Sequence, residues 1–321
     1  LELSLDALSP ASDFAHTLFA ENPAVVVQVA DEHNEAFLAV LAEAGVAAVE
    51  LGRPVEGRTL TLRRADRQLA LDIDALREDW YGTSAEMDAF QSFNGCAEQR
   101  AQNYKSQPLH FRLPASFDGS FATLGVSPDR RTPSGVRAAI IREKGTNGER
   151  EMAYILHLAG FDVKDVTMTD LVTGRETLDE VNFIVFCGGF SNSDVLGSAK
   201  GWAGAFLFNP KAKAALDRFY ARPDTLSLGV CNGCQLMVEL GLVNPEHTDR
   251  RARMLHNDSH KFESGFVGVD VAPNDTVLFS SLSGSRLGIW IAHGEGKFNL
   301  PRPAADYNIV LSYTYDQYPT N

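Results

Sequence analysis

Two of the four cysteines in this 321-residue chain stand three apart, in LGVCNGCQLMVEL at residues 228–240. A C-x-x-C pair admits a metal centre, a reversible disulfide, or one nucleophile beside a packing neighbour. A structural zinc site needs four ligands and a catalytic one needs three plus water. The further ligands for Cys231 and Cys234 would be His256, His260 and His293, which lack the close, loop-borne spacing of a finger or ribbon. A redox pair suits a helix start, where the positive end of the helix dipole stabilises a thiolate. Here, however, the pair encloses Asn232 and Gly233 and follows a long α/β stretch instead of opening a small domain. Two incidental cysteines are the plainest alternative.

The remaining reading uses one cysteine. The stretch Gly229-Val230-Cys231-Asn232-Gly233-Cys234-Gln235 joins a strand-like TLSLGV to a helix-like continuation, which puts Cys231 on the turn between them. Glycines there permit a strained backbone and close approach of neighbours, as at a nucleophile elbow. The backbone amide of Asn232 would then face an oxyanion, and the Gly188-Gly189-Phe190 loop could supply a second donor from Gly189. Alone, that loop also reads as a tight turn after a buried strand. Cys234, one turn into the helix, becomes a packing residue. Gln235 is either a satisfied helix residue or a brace for the elbow, and its amide can both donate and accept. His293 and Glu295, in IAHGEGKF, have the residue types of a general base and its orienting carboxylate. His256 and His260 fit a solvated loop, and His157 falls in a helical stripe with a structural role.

These residues need a scaffold. From residue 136 the chain alternates: RAAIIRE, FDVKDVTM, VNFIVF and TLSLGV read as strands, with NGEREMAYILHLAG and KAKAALDRFYAR as helices between them. Met152, Ile155, Leu156 and Ala159 form the apolar stripe of the first helix, which stops at Gly160. Strand–helix alternation predicts a doubly wound α/β sheet with its site at the carboxyl ends of the strands. GFVGVDV and RLGIWIA follow as further strands.

Residues 1–104 read as a separate α+β piece. AVVVQVA (24–30) has the composition of a strand, and NEAFLAVLAEAG that of a helix ended by Gly45. TLTL and QLALDI form a hairpin around RADR, and DALREDWYGTSAEMDAFQSF gives helices with Asp74 as the first cap. Between the two parts, residues 105–135 interleave Pro108, Pro114, Pro128 and Pro133 with Gly119, Gly125 and Gly135, which breaks any long element. Such a connection is expected to pack along a surface.

Bulk properties narrow the function. A length of 321 residues suggests two domains. A net charge of −13 disfavours nucleic acid, since the basic clusters, such as Arg63, Arg64 and Arg67, are short. No run approaches the roughly 20 apolar residues of a membrane span, and no leader is recognisable at the start, so the expected compartment is the cytoplasm. Four scattered cysteines fit free thiols in a reducing compartment. The chain starts without methionine, and both ends read as cut.

REKGTNGEREMAY, CGGFSNSDVLGSAKGWA, GVCNGCQ and IAHGEGKF, in this order from about Arg137 onward, resemble the class I glutamine amidotransferase domain of the phosphoribosylformylglycinamidine synthase family, in its long single-chain form. NGCAEQRAQNYKSQPLHF and the preceding α+β segment resemble the tail of that family's synthetase portion. The resemblance implies a flavodoxin-like fold over 136–321, incomplete at its C-terminus. It implies L-glutamine as substrate, Cys231 as nucleophile, and ammonia passed to the remainder of the synthetase chain. There ATP, with Mg2+, would activate formylglycinamide ribonucleotide; no cofactor is expected on this stretch itself. The family's histidine and glutamate come from a late P-H-P-E-R type motif, which is not found in the residues after Cys231. His293 and Glu295 match a different family motif, a loop expected to shape the pocket together with Gly188, Phe190 and Gln235.

Overall fold

The computed structural model describes residues 1–8, 13–103, 109–246, 251–318 and 320, arranged as two compact units, Leu1–Asp88 and Ala89–Asn321. The first unit carries a four-stranded sheet of order β2-β1-β3-β4, from β1 (Glu2–Ser4), β2 (Gly52–Arg53), β3 (Thr59–Arg64) and β4 (Arg67–Asp72). The expected hairpin is β3–β4, closed by Ala65 and Asp66 with Ala65 at φ +49°. Helices α1 (Phe14–Leu18) and α2 (Asn34–Glu43) precede it, and Gly45 follows α2 at φ +69°.

Three expectations fail in this unit. Residues 24–30 form no strand: Val25, Val26 and Val27 are exposed, and β-branched residues make a strand only when a ladder neighbour and a buried face are present. The segment 73–91 is one helix, α3 (Ile73–Gln91), running straight through Gly82. Its cap is Asp72, whose carboxylate accepts from the amides of Asp74 and Ala75. Asp74 instead pairs with Arg58.

The second unit begins with the end of α3 and α4 (Cys96–Asn103). Residues 109–135 contain no helix or strand of their own and are tied down where Arg112 exchanges backbone hydrogen bonds with Arg286 at 2.9 and 2.8 Å. Residues 105–108 of the expected connection lie outside the described residues.

Next come β5 (Arg137–Arg142), β6 (Thr146–Asn147), α5 (Glu149–Leu158), β7 (Asp162–Thr167), α6 (Met168–Thr173), β8 (Phe183–Phe186), β9 (Gly188–Gly189), α7 (Lys200–Leu207), α8 (Pro210–Ala221), β10 (Leu226–Gly229) and α9 (Asn232–Glu239). The four long strands make an all-parallel sheet, β7-β5-β8-β10. In chain order that is 2-1-3-4, the flavodoxin-like arrangement expected from the alternation.

The sheet is buried on both faces because its side chains alternate. Ala139, Ile141, Ile184 and Phe186 point into a core with Trp202 and Phe206 of α7, Leu216 and Phe219 of α8 and Leu236 of α9. Ala138, Ile140 and Val185 face the other way, onto Leu156, Met152 and Ala153 of α5. The predicted stripe of α5 is thus displaced by part of a turn: Ile155 is exposed, and Ala153 takes its place. His157 meets Arg130 at 3.2 Å, in keeping with a structural role.

Beyond α9 lie β11 (Arg253–Leu255), β12 (Glu263–Val271), β13 (Arg286–His293), β14 (Lys297–Asn299) and β15 (Leu311–Tyr313). They form an antiparallel sheet β13-β12-β15 and a two-stranded ladder β11-β14. Among the described residues no helix is long and apolar enough to cross a membrane.

Candidate active site

Cys231 occupies the step between β10 and α9 with φ +53° and ψ −111°, a conformation that costs a non-glycine residue on the order of 1–3 kcal/mol. Its glycine neighbours are there for space. A Cβ on Gly229 would stand 2.6 Å from the Gly233 carbonyl oxygen, and one on Gly233 would stand 2.0 Å from that of Phe186. The Cys231 carbonyl accepts the amide of Gln235 at 3.1 Å, so the helix starts directly after the strained residue. The thiol is exposed; Cys234 is half-buried, and burial pushes its thiol pKa up. Cys96 and Cys187 are buried, and burial holds the Cys187 thiol up at about 11.

Gly188 lies against the elbow: a Cβ there would be 3.1 Å from Cys231 Cβ and 3.8 Å from its Sγ. The short ladder β6–β9 fixes this approach, pairing Thr146 with Gly189 and Asn147 with Gly188. Gly189, at φ +110°, has no room for a side chain beside Asn147 and Gly145. Phe190 donates its amide to the Gly145 carbonyl at 2.9 Å and leaves its ring exposed near Phe262, 6.2 Å between centroids.

Asn192, Ser193 and Asp194 then follow at φ +51°, +56° and +48°. Three consecutive left-handed residues need external support, and they receive it from the fully buried Asn232. Its Oδ1 accepts the Ser191 amide at 3.1 Å; its Nδ2 donates to the Asp194 carboxylate at 3.1 Å and to Gln235 Oε1 at 3.0 Å. Gln235 Nε2 in turn donates to the Glu295 carbonyl at 2.8 Å, and the Glu295 carboxylate accepts the Ser198 amide at 3.2 Å.

The end of β13 closes the other side. The Cys231 thiol faces the Ala292 carbonyl, with Sγ and oxygen 3.6 Å apart. His293, the next residue, turns its ring to Asn257, its Nδ1 lying 2.9 Å from Asn257 Oδ1. Gly296 has to be glycine, since a Cβ would lie 2.1 Å from His293 Nδ1. Glu263 stands opposite His293 in the β12–β13 register, its buried carboxylate held by Arg100, Tyr318 and Ser259. Burial lowers the His293 pKa, against a smaller upward pull from Glu263.

Around the elbow the structure therefore assembles Gly188, Gly189, Asn232 and Gln235, with Glu295 reached through Gln235. It does not join His293 to Glu295: the first engages Asn257, the second Ser198 and Gln235. Among the described residues Cys231 Sγ has no histidine hydrogen-bond partner. His256 and His260 are exposed and stack on each other at 6.4 Å. Sequence reasoning missed Ser191, Asp194, Asn257 and the Asn232 side chain. Their only signal was a density of Asn, Ser and Asp beside the glycines.

Residues 135–318 match the model of the CobB/CobQ-like glutamine amidotransferase domain. The chain is 39% identical over 313 residues to phosphoribosylformylglycinamidine synthase of Homo sapiens, covering 92% of this chain and 23% of that protein. It is 34% identical over 310 residues to the probable chloroplastic/mitochondrial phosphoribosylformylglycinamidine synthase of Arabidopsis thaliana (93% of this chain, 21% of that protein). It is 36% identical over 289 residues to the Drosophila melanogaster phosphoribosylformylglycinamidine synthase, covering 88% of this chain and 21% of the relative. The chain thus spans under a quarter of the length of these relatives. With a strained cysteine between a parallel strand and a helix, and a family match over more than half its length, the chain belongs to the CobB/CobQ-like glutamine amidotransferase domain family.

Proposed function

We propose that residues 135–318 are the glutaminase portion of a phosphoribosylformylglycinamidine synthase. The Cys231 sulfur attacks the side-chain amide carbon of L-glutamine, forming a C–S bond while the carbonyl becomes an oxyanion. The backbone amides of Gly189 and Asn232 are its donors. Collapse breaks the C–N bond, the nitrogen takes a proton and leaves as ammonia, and water hydrolyses the thioester to glutamate and free thiol. Gly188, Phe190, Gln235, His293 and Glu295 line or brace the pocket.

The observation that carries this reading is the Cys231 backbone at φ +53°, ψ −111°, strain that is without purpose in a packing cysteine. A base from elsewhere in the assembled enzyme is favoured because, among the described residues, the Cys231 sulfur meets the Ala292 carbonyl at 3.6 Å and no histidine ring. On the same reading, ammonia passes to the remainder of the synthetase chain, where ATP and Mg2+ serve the amidation of formylglycinamide ribonucleotide in purine synthesis. Among the described residues no three His, Cys, Asp or Glu side chains cluster to hold an ion.

A glutamine-like chloroketone tests the assignment. Mass spectrometry should find it on Cys231 and not on Cys234, and Cys231→Ser should abolish labelling. Adduct on Cys234 alone, or none at all in the wild type, sinks the reading.

A further inference from the structure

Glycine backbone donors are of use only if their loop is held at a fixed distance from the nucleophile. That loop, Gly188–Asp194, ends in three left-handed residues costing roughly 1–2 kcal/mol each. It is held from two sides: by residues 144–147, through the β6–β9 ladder and through the amides of Phe190 and Asn192 on the Gly145 and Lys144 carbonyls, and by the Asn232 side chain.

Asn232 is the residue after the nucleophile, 0% exposed, and both ends of its amide are occupied. The oxygen takes Ser191 N; the nitrogen reaches Asp194 and Gln235. Asp194 also accepts the Ala199 amide at 3.1 Å, which anchors the start of α7 to the same point. One side chain thereby joins the elbow helix, the glycine loop and, through Gln235, the Glu295 loop.

We infer that the Asn232 side chain is a positioning residue for this reaction. By bonding Ser191 and Asp194, it sets the Gly188–Gly189 segment against Cys231. This deepens the glutaminase reading and rests on it. An aliphatic residue of similar size would support the helix equally well but would leave the Ser191 amide unpaired in a buried place. The requirement is for an amide with its donor toward Asp194.

Asn232→Asp is the informative substitution. It keeps the acceptor for Ser191 but sets a second carboxylate about 3.1 Å from that of Asp194. Like charges that close cannot both ionise without cost, so the contact opens at neutral pH and recloses when one proton is shared. Other ionisable groups near this junction include the Glu295 carboxylate, the thiols of Cys231 and Cys234, and Lys200 at the start of α7, whose side chain lies over Gly197.

The experiment measures two alkylation rates at Cys231 across pH, with iodoacetamide and with the glutamine-like chloroketone. Their ratio cancels the thiolate fraction and reports the oxyanion pocket. Cys187, 1% exposed, should stay unlabelled in every variant that is folded. The inference expects Asn232→Asp to lower the ratio about 10-fold or more at pH 8, as misplacement near 1 Å does. The ratio should recover as the pH is lowered until the two carboxyls share a proton, and Asp194→Asn added to Asn232→Asp should restore it at pH 8. A ratio unchanged in Asn232→Asp overturns the inference. So does a loss that neither acid nor the second substitution reverses, which marks a merely structural role. Wild-type protein that reacts with iodoacetamide but not with the chloroketone sinks the glutaminase reading itself, and the inference with it.

Discussion

Asn257 holds His293 at two points: its amide nitrogen donates to the His293 carbonyl at 2.7 Å, and its oxygen lies 2.9 Å from the ring Nδ1. The same nitrogen donates to the Lys261 carbonyl at 3.0 Å, which fixes the amide's orientation. Facing an oxygen that can only accept, Nδ1 must carry the hydrogen, and the second ring nitrogen is unprotonated while the ring is neutral.

His293 should therefore titrate below the ordinary 6.5, with the Nδ1–H tautomer dominant at pH 7. Nitrogen-15 shifts of the ring check this directly. Because burial depresses the folded value, the unfolded chain takes up the proton first. Stability from this group falls as pH drops from about 6.5 through the folded pKa, and is unaffected above that range. Asn257→Asp should reverse the shift, raising the His293 pKa; an unchanged ring titration would refute the contact.

Cys231→Gly should make the protein more stable while removing the thiol. Glycine adopts φ +53°, ψ −111° without penalty, so relief of roughly 1 kcal/mol is expected in urea unfolding. A destabilised variant would mean that the elbow is not strained.

Two glycines should answer alanine in opposite directions. Gly233→Ala drives a methyl to 2.0 Å from the Phe186 carbonyl and should cost on the order of 3 kcal/mol or prevent folding. Gly82→Ala, inside α3 with open space around it, should stabilise by about 0.5–1 kcal/mol. Paired chemical melts suffice.

Arg100→Met removes the cation beside buried Glu263, leaving Tyr318 and Ser259 as the carboxylate's partners. Breaking one side of such a pair costs on the order of 3 kcal/mol. Arg100→Met with Glu263→Gln should recover part of it, and a thermal shift series would show whether the two are coupled.

The parallel sheet could be read from the sequence because its signal is local: VNFIVF and RAAIIRE are apolar on both faces, and such strands are buried on both. The elbow was legible for a similar reason, since steric demand writes glycine at fixed offsets from Cys231. What escaped was settled by tertiary context. Val25 to Val27 have strand composition but no neighbour to pair with, and Asp72, two residues before the expected cap, won the start of α3 because its oxygen reaches both amides. Asn232 and Asn257 were invisible as clamps, since a polar side chain in a loop looks the same whether it faces water or three partners.

The β6–β9 ladder ties the turn after the first parallel strand to the turn after the third, residue against residue. Their lengths are consequently not independent: a one-residue insertion in either would slide its partner and lift the glycines away from the sulfur. Related sequences should tolerate gaps elsewhere on the molecule, yet residues 143–147 and 187–194 should change length together or not at all.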